Sequence, residues 1–319
     1  MKLKTDDEPL HHQADFFATR ATSSKNSVPP FKTQLLKWIG NKQRFAHEIA
    51  SYFPAEYGTY IEPFLGSGAV LGTLTPERAV AGDACAPLAG IWMLLKDSPS
   101  RLVESYSETW EAFQLDRVGT YERVKARFNE EPTPEDMLFL SRSCYGGVIR
   151  FRKDGYMSTP CGPHRPVSPE SIESRVELWR ERTAGAEFLC ADFEVTMARA
   201  VEGDLIYCDP PYFDSQAILY GAQEFTLERL YAAIASAKAR GVYVALSIDG
   251  KKKSGKKTVS IEPPDGLFET EGLVNCGRSM LRRFQMGGQT LESEVVADRL
   301  LLTWSMGSRI TITKEEKKP

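Results

Sequence analysis

The stretch Asp209-Pro210-Pro211-Tyr212 puts a carboxylate, a proline carbonyl and an aromatic ring directly after an apolar run, Leu205-Ile206-Tyr207-Cys208. Two consecutive prolines remove two backbone donors and fix φ, so a strand ending at Cys208 must stop there, and its tip is rigid. Such a tip suits one kind of chemistry. An exocyclic amino group on a nucleobase is a poor nucleophile because its lone pair is delocalised into the ring. Asp209 and the Pro210 carbonyl can accept both N–H bonds and localise that lone pair towards an electrophile, with Pro211 keeping the acceptor pair preorganised. Tyr212 offers a face on which an extruded base can stack. Asp209 can then take the surplus proton, and no metal is required.

Three further strand ends carry residues of the same kind. The run ending in Ile61-Glu62 is followed by Pro63-Phe64-Leu65-Gly66-Ser67-Gly68, where Gly66 and Gly68 allow a tight turn and close backbone approach to a ligand. A second strand ends on Asp83, spaced from the glycines as the ribose-binding acid is in nucleotide-binding βαβ units. A third ends at Asp192-Phe193, a carboxylate beside a ring able to cover an adenine. Singly, each is a turn, cap or core residue. Together they mark successive strand ends, where ligands sit in open α/β sheets.

The elements that must position these residues follow a strand-helix rhythm that predicts a parallel α/β sheet. A helix is expected over about 43–53, another over 86–97, and helical pattern from about 98 to 129. Residues 141–166, rich in Gly, Pro and Arg, read as a hairpin with long loops. A helix near 169–183 follows. Strands are then expected at 186–192, 203–209 and 242–249, with the helix 226–241 before the third of these, and a last strand lies near 296–305. The lysine-rich stretch 251–257 is expected as a loop that is either solvated or in contact with phosphates, and 282–288 invites a similar reading.

The chain has 319 residues, 42% of them hydrophobic and 26% charged, with a net charge of −3, so any nucleic-acid partner must be recognised by local charge. No apolar run approaches the length of a membrane span, and the first residues lack the apolar core of a secretory signal, so a cytoplasmic protein with no membrane partner is expected. The six cysteines show no C-x-x-C pair, the spacing that structural zinc requires, so reduced thiols and no metal are expected.

The motifs "LLKWIGNK", "IEPFLGSG", "GDACAPL", "SRSCYGGVIRFRKDGYMSTPCG", "ADF" and "CDPPY" stand in the order found in the Dam-like family of DNA adenine N6-methyltransferases, and the chain resembles that family over about 35–304. The resemblance implies a Rossmann-like class I methyltransferase sheet with an inserted helical and hairpin target-recognition domain. Tails would occupy 1–32 and 311–319, the catalytic domain 33–98 and 184–310, and the target-recognition domain 99–183. It implies S-adenosyl-L-methionine as cofactor, double-stranded DNA as substrate and a flipped target adenine. The expected setting is the cytoplasm of a bacterium or a phage host, in association with the nucleoid. A cognate restriction endonuclease is a candidate partner, and a monomer is the expectation.

Residue by residue, the resemblance assigns Trp38, Gly40, Lys42, Pro63, Phe64, Gly66, Gly68, Asp83, Asp192, Phe193 and Asp209 to the cofactor, and Asp209 to Tyr212 to the target base. Lys37, Arg142, Tyr145, Gly146, Val148, Arg150, Arg152 and Pro160 fall at its DNA-contacting positions. Arg150 is the candidate for a bidentate guanine contact. Between 142 and 165 five Arg or Lys stand against one Asp, interleaved with aromatics, which is a local electrostatic footprint for nucleic acid. The chain departs from the family at Gly146, where an asparagine is usual, in the stretch from Arg150 to Pro160, and at Ile39 and Asn41. These departures leave the common target GATC unsupported. The same acceptor tip also suits N4 of cytosine or an RNA base, and a silent DNA-binding regulator of this fold is the remaining alternative.

Overall fold

The computed structural model describes residues 28–211, 225–249, 252–254, 257–259, 262–275 and 297–306. Its centre is a seven-stranded sheet. The strands are β1 (Tyr60–Glu62), β2 (Ala79–Asp83), β3 (Ala186–Cys190), β4 (Leu205–Cys208), β5 (Tyr243–Asp249), β8 (Thr270–Asn275) and β9 (Ala297–Leu302). In the order β3-β2-β1-β4-β5-β9-β8 the first five run parallel, and β9 joins antiparallel between β5 and β8, so β8 points the same way as the first five. Strand order reverses between β1 and β4, which makes that boundary the switch point of the sheet.

Side-chain alternation decides the two faces. In β4, Leu205 and Tyr207 enter one apolar cluster while Ile206 and Cys208 enter another. Period two forces this split, because successive Cβ atoms point to opposite sides. The first cluster lies under α1 (Ala46–Ala50), α2 (Ala69–Leu74), α3 (Ala86–Asp97) and the inserted helices α4 (Pro99–Leu115), α5 (Arg117–Glu130), α6 (Pro134–Ser143) and α7 (Pro169–Arg182). The second is closed by α8 (Phe193–Met197) and α9 (Leu227–Ala239).

Several sequence expectations change. The helix expected over 43–53 contracts to α1, because the Asn41 carboxamide accepts from the Gln43 N–H and the chain turns there first. Beyond Ala50, tighter turns carry the chain to Phe53. Helix α6 was not expected, although Thr133 caps it by accepting from the Asp136 N–H and Pro134 opens it. Strand β8 was also unforeseen, and the sheet is mixed where a parallel one was expected. The stretch 251–257, expected as a loop, holds β6 (Lys252–Ser254) paired antiparallel with β7 (Lys257–Val259). The 282–288 stretch lies outside the described residues. No helix among the described residues is long and apolar enough to cross a membrane.

Candidate active site and basic hairpin

The carboxyl ends of β1, β2, β3 and β4 open on one cavity of about 350 Å³, lined among others by Glu62, Asp83, Asp192 and Asp209. Four acids reach it because each strand ends on, or just before, a carboxylate and all four strands point the same way. Its volume falls in the range of small-molecule and cofactor sites.

Asp83 is fixed by two donors. The Gly66 N–H donates to Oδ2 and the Cys85 N–H to Oδ1, each at 2.9 Å. Burial still pushes its carboxyl above the usual carboxylate range, with these two bonds opposing the shift. The turn that supplies Gly66 has φ of +50° there and is clasped by the Trp92 indole, which donates to the Gly66 carbonyl at 3.1 Å. Gly68, expected at the cofactor, does not line the cavity. It is buried with φ of +65°, and a Cβ there would lie 2.9 Å from the Trp92 ring. Its absent side chain leaves room for Trp92 of α3 and Trp179 of α7 at the start of α2.

Glu62 was passed over in the sequence reading. It is buried at the cavity wall, where Oε2 accepts from the Tyr60 hydroxyl at 2.8 Å and from the Leu71 N–H at 3.0 Å. Burial pushes its carboxyl up to about 8, and the neighbouring Asp209 adds to the shift. The position of Glu62 immediately before Pro63 at a strand end was the available signal.

Lys42 is also buried, with Nζ 2.9 Å from Asp209 Oδ1 and 3.3 Å from Asp298 Oδ2. It is therefore not a solvated charge at a helix start. No motif marked Asp298. Strand β9 runs opposite to its neighbours, so its first residues enter the sheet at the edge where the parallel strands end. Trp38, Gly40, Pro63, Phe64, Pro210 and Pro211 line the cavity as well. Tyr212 lies outside the described residues.

At the β3 end, Phe193 is both cavity wall and core. Its ring stacks on Phe64 at 5.3 Å, and the Arg229 guanidinium lies 5.0 Å from its centre on the other element it meets, α9. Asp192 caps α8 through the Glu194 N–H and pairs with Arg229 at 3.1 Å. It therefore acts as a helix cap and lines the cavity at once.

The hairpin over 144–161 is pinned on its inner side. Asn129 of α5 both accepts from the Met157 N–H and donates to its carbonyl, and the Tyr121 hydroxyl donates to the Thr159 carbonyl. The Thr159 hydroxyl bridges the two arms, accepting from the Arg150 N–H and donating to the Val148 carbonyl. The outer side presents Tyr145, Arg150, Arg152 and Pro160 to solvent, with the Arg152 guanidinium 4.5 Å over the Tyr156 ring. Val148 is half-buried. Gly146 and Gly147 both have left-handed φ, +69° and +64°. Asparagine and glycine are the residues that adopt this region readily, so Gly146 preserves the turn while removing a side chain.

Arg142, expected at DNA, faces inward instead. Its guanidinium donates to the carbonyls of Gln34 and Leu35, and burial with the nearby Arg175 charge brings its pKa down to about 10. It fastens the insertion to the segment carrying Lys37 and Trp38. Lys37 is exposed beside Gly147, with its ammonium on the Gln34 carboxamide at 2.6 Å. Its pKa is lowered by partial burial and by Arg142 and Arg175.

An open α/β sheet with an acid at each of four strand ends, a D-P-P tip at the switch point and a basic hairpin beside it defines a class of group-transfer enzyme acting on a base. The model of the D12 class of N6 adenine-specific DNA methyltransferases matches residues 38–262. A DNA adenine methylase of Vibrio cholerae is 30% identical over 225 residues, covering 66% of this chain and 79% of that protein. A type II methyltransferase of Lactococcus lactis subsp. cremoris is 27% identical over 239 residues, covering 70% and 82%. The DNA adenine methylase of Escherichia coli K12 is 27% identical over 202 residues, covering 61% and 71%. The chain belongs to the D12 class of N6 adenine-specific DNA methyltransferases.

Proposed function

We infer that the cavity is the methyl-transfer site, with S-adenosyl-L-methionine as donor and an adenine flipped out of duplex DNA as acceptor. The observation that carries this reading is the convergence of Glu62, Asp83, Asp192 and Asp209 on one cavity across the switch point. The lining fits that donor: an acid held by the glycine turn suits a ribose diol, and the Phe64–Phe193 pair suits an adenine ring. Trp38, Gly40, Lys42, Pro63, Phe64, Gly66, Asp83, Asp192 and Phe193 would hold it. When bound, S-adenosyl-L-methionine supplies a methyl group on a positively charged sulfur.

The chain's own part is to make the amino group nucleophilic. Asp209 and the Pro210 carbonyl accept its two N–H bonds, so the lone pair turns out of conjugation with the ring. Lys42 holds Asp209 by Oδ1, so the acceptor is in place before the base arrives. Asp209 takes the proton that the amino group loses. Tyr212, outside the described residues, is assigned to the extruded base from the sequence alone. The exposed side of the hairpin, with Tyr145, Arg150, Arg152 and Pro160, reads the DNA, and Lys37 and Gly146 lie at its base.

The test is to incubate the protein with S-adenosyl-L-methionine and unmethylated genomic DNA and to map modified bases by single-molecule sequencing. N6-methyladenine confined to one short motif is expected. N4-methylcytosine, methylation of RNA alone, or cofactor binding without transfer would each replace this reading by one of its alternatives.

A further inference from the structure

We propose that Asp298 is a positioning residue for the transfer, holding Lys42 so that Lys42 in turn fixes the Asp209 carboxylate. The inference rests on the role of Asp209 given above. Its basis is a buried three-group chain drawn from distant parts of the sequence: Lys42 before α1, Asp209 after β4 and Asp298 at the start of β9. The lysine nitrogen sits between the two carboxylates at 2.9 and 3.3 Å, and the side chains are 5%, 17% and 8% exposed.

Lysine has a long flexible stem, so a single contact to Asp209 would leave the ammonium free to swing with the loop that carries it. A second carboxylate on a different strand fixes the nitrogen relative to the sheet. Sharing the ammonium also leaves Asp209 a stronger hydrogen-bond acceptor than a one-to-one pair would, and acceptor strength is what the amino group of the base requires. Sheet pairing does not account for Asp298. Its backbone is already in register with Asp249 of β5 and Val274 of β8, so β9 is held without the side chain. A carboxylate buried to this degree is costly unless it is paired, and the Lys42 ammonium supplies the pairing.

The experiment compares Asp298→Asn, Lys42→Met and the double variant in single-turnover methylation of DNA. Donor and DNA affinities are measured alongside, and thermal melts verify folding. Asp298→Asn is expected to slow transfer by about 10- to 100-fold while both affinities stay within about threefold of wild type. Since Asp298 acts through Lys42, the double variant is expected to be no slower than Lys42→Met, because the second change also relieves two adjacent carboxylates that the lysine no longer separates. A native transfer rate in Asp298→Asn overturns the proposal, as does a double variant in which the two losses multiply.

If Asp298→Asn loses its melting transition, Asp298→Glu carries the test, because it keeps the charge and moves it by one methylene. A loss of about three- to tenfold in rate at unchanged affinities is expected there, and a native rate overturns the proposal. Loss of folding in both variants also overturns it, in favour of a purely structural carboxylate. A wild-type protein that methylates no DNA removes the reading of Asp209 and this inference together. A wild type that methylates beside a native-rate Asp298→Asn removes this inference alone.

Discussion

The cavity and the basic hairpin are built in opposite ways within one chain. Around the cavity the titratable groups are held from within: Asp83 by two N–H donors, Glu62 by a hydroxyl and an N–H, and Lys42 by two carboxylates. The hairpin is fixed only along its inner side, by Asn129, Tyr121 and Thr159, and presents its arginines and tyrosines outward. On the proposed function this contrast has a reason: chemistry on a weak nucleophile needs acceptors that do not reorganise, whereas reading DNA needs donors still available to a partner. The two regions meet where Arg142 grips the carbonyls of Gln34 and Leu35, next to Lys37 and Trp38.

The largest effect comes from breaking the cavity's acceptor. Asp209→Ala is expected to lower the single-turnover methylation rate by at least about 10³-fold while DNA binding is kept. A rate near the wild-type value would remove Asp209 from the chemistry.

Next comes the cost of preorganisation at Glu62. Its carboxyl titrates at about 8 in the fold against an ordinary 4.5, so the folded protein holds a proton that the unfolded chain releases. That stability is fully present below the unfolded value and is lost as pH rises through about 8, a change on the order of a few kcal/mol. Glu62→Gln keeps the oxygen that accepts from Tyr60 and Leu71 but cannot titrate. Melting curves from pH 5 to 9 should therefore fall more steeply for the wild type than for the variant. Parallel curves would show that Glu62 is not held neutral by its surroundings.

Gly68→Ala separates packing from ligand contact in the same turn. The φ of +65° and the 2.9 Å approach to Trp92 predict a loss of about 2–4 kcal/mol in denaturant unfolding. An unfolding midpoint unchanged from wild type would mean that Trp92 yields freely.

The smallest effect belongs to the hairpin. Arg150→Ala should leave the melting temperature unchanged and reduce discrimination between cognate and altered DNA sites by about 10- to 100-fold. Equal weakening on every sequence would instead identify Arg150 as a phosphate contact.

The parts of the site that depend on local chain chemistry were legible from the residues alone. The D-P-P end of β4, the glycine turn after β1 and the acids ending β2 and β3 are encoded in short windows, because proline, glycine and an apolar run dictate backbone geometry within a few residues. The hairpin's exposed basic side was readable for the same reason, since its charge is concentrated in one segment. Charges joined by tertiary contact alone were not readable. Asp298 meets Lys42 only because β9 enters the sheet antiparallel between β5 and β8, and Arg142 turns inward only because the insertion packs on the segment before α1. Composition gives no sign of which lysine is buried or which arginine faces the core. The sequence by itself determined which acids end which strands. The tertiary structure decided which of them share a lysine, because desolvation and strand order act between residues far apart along the chain.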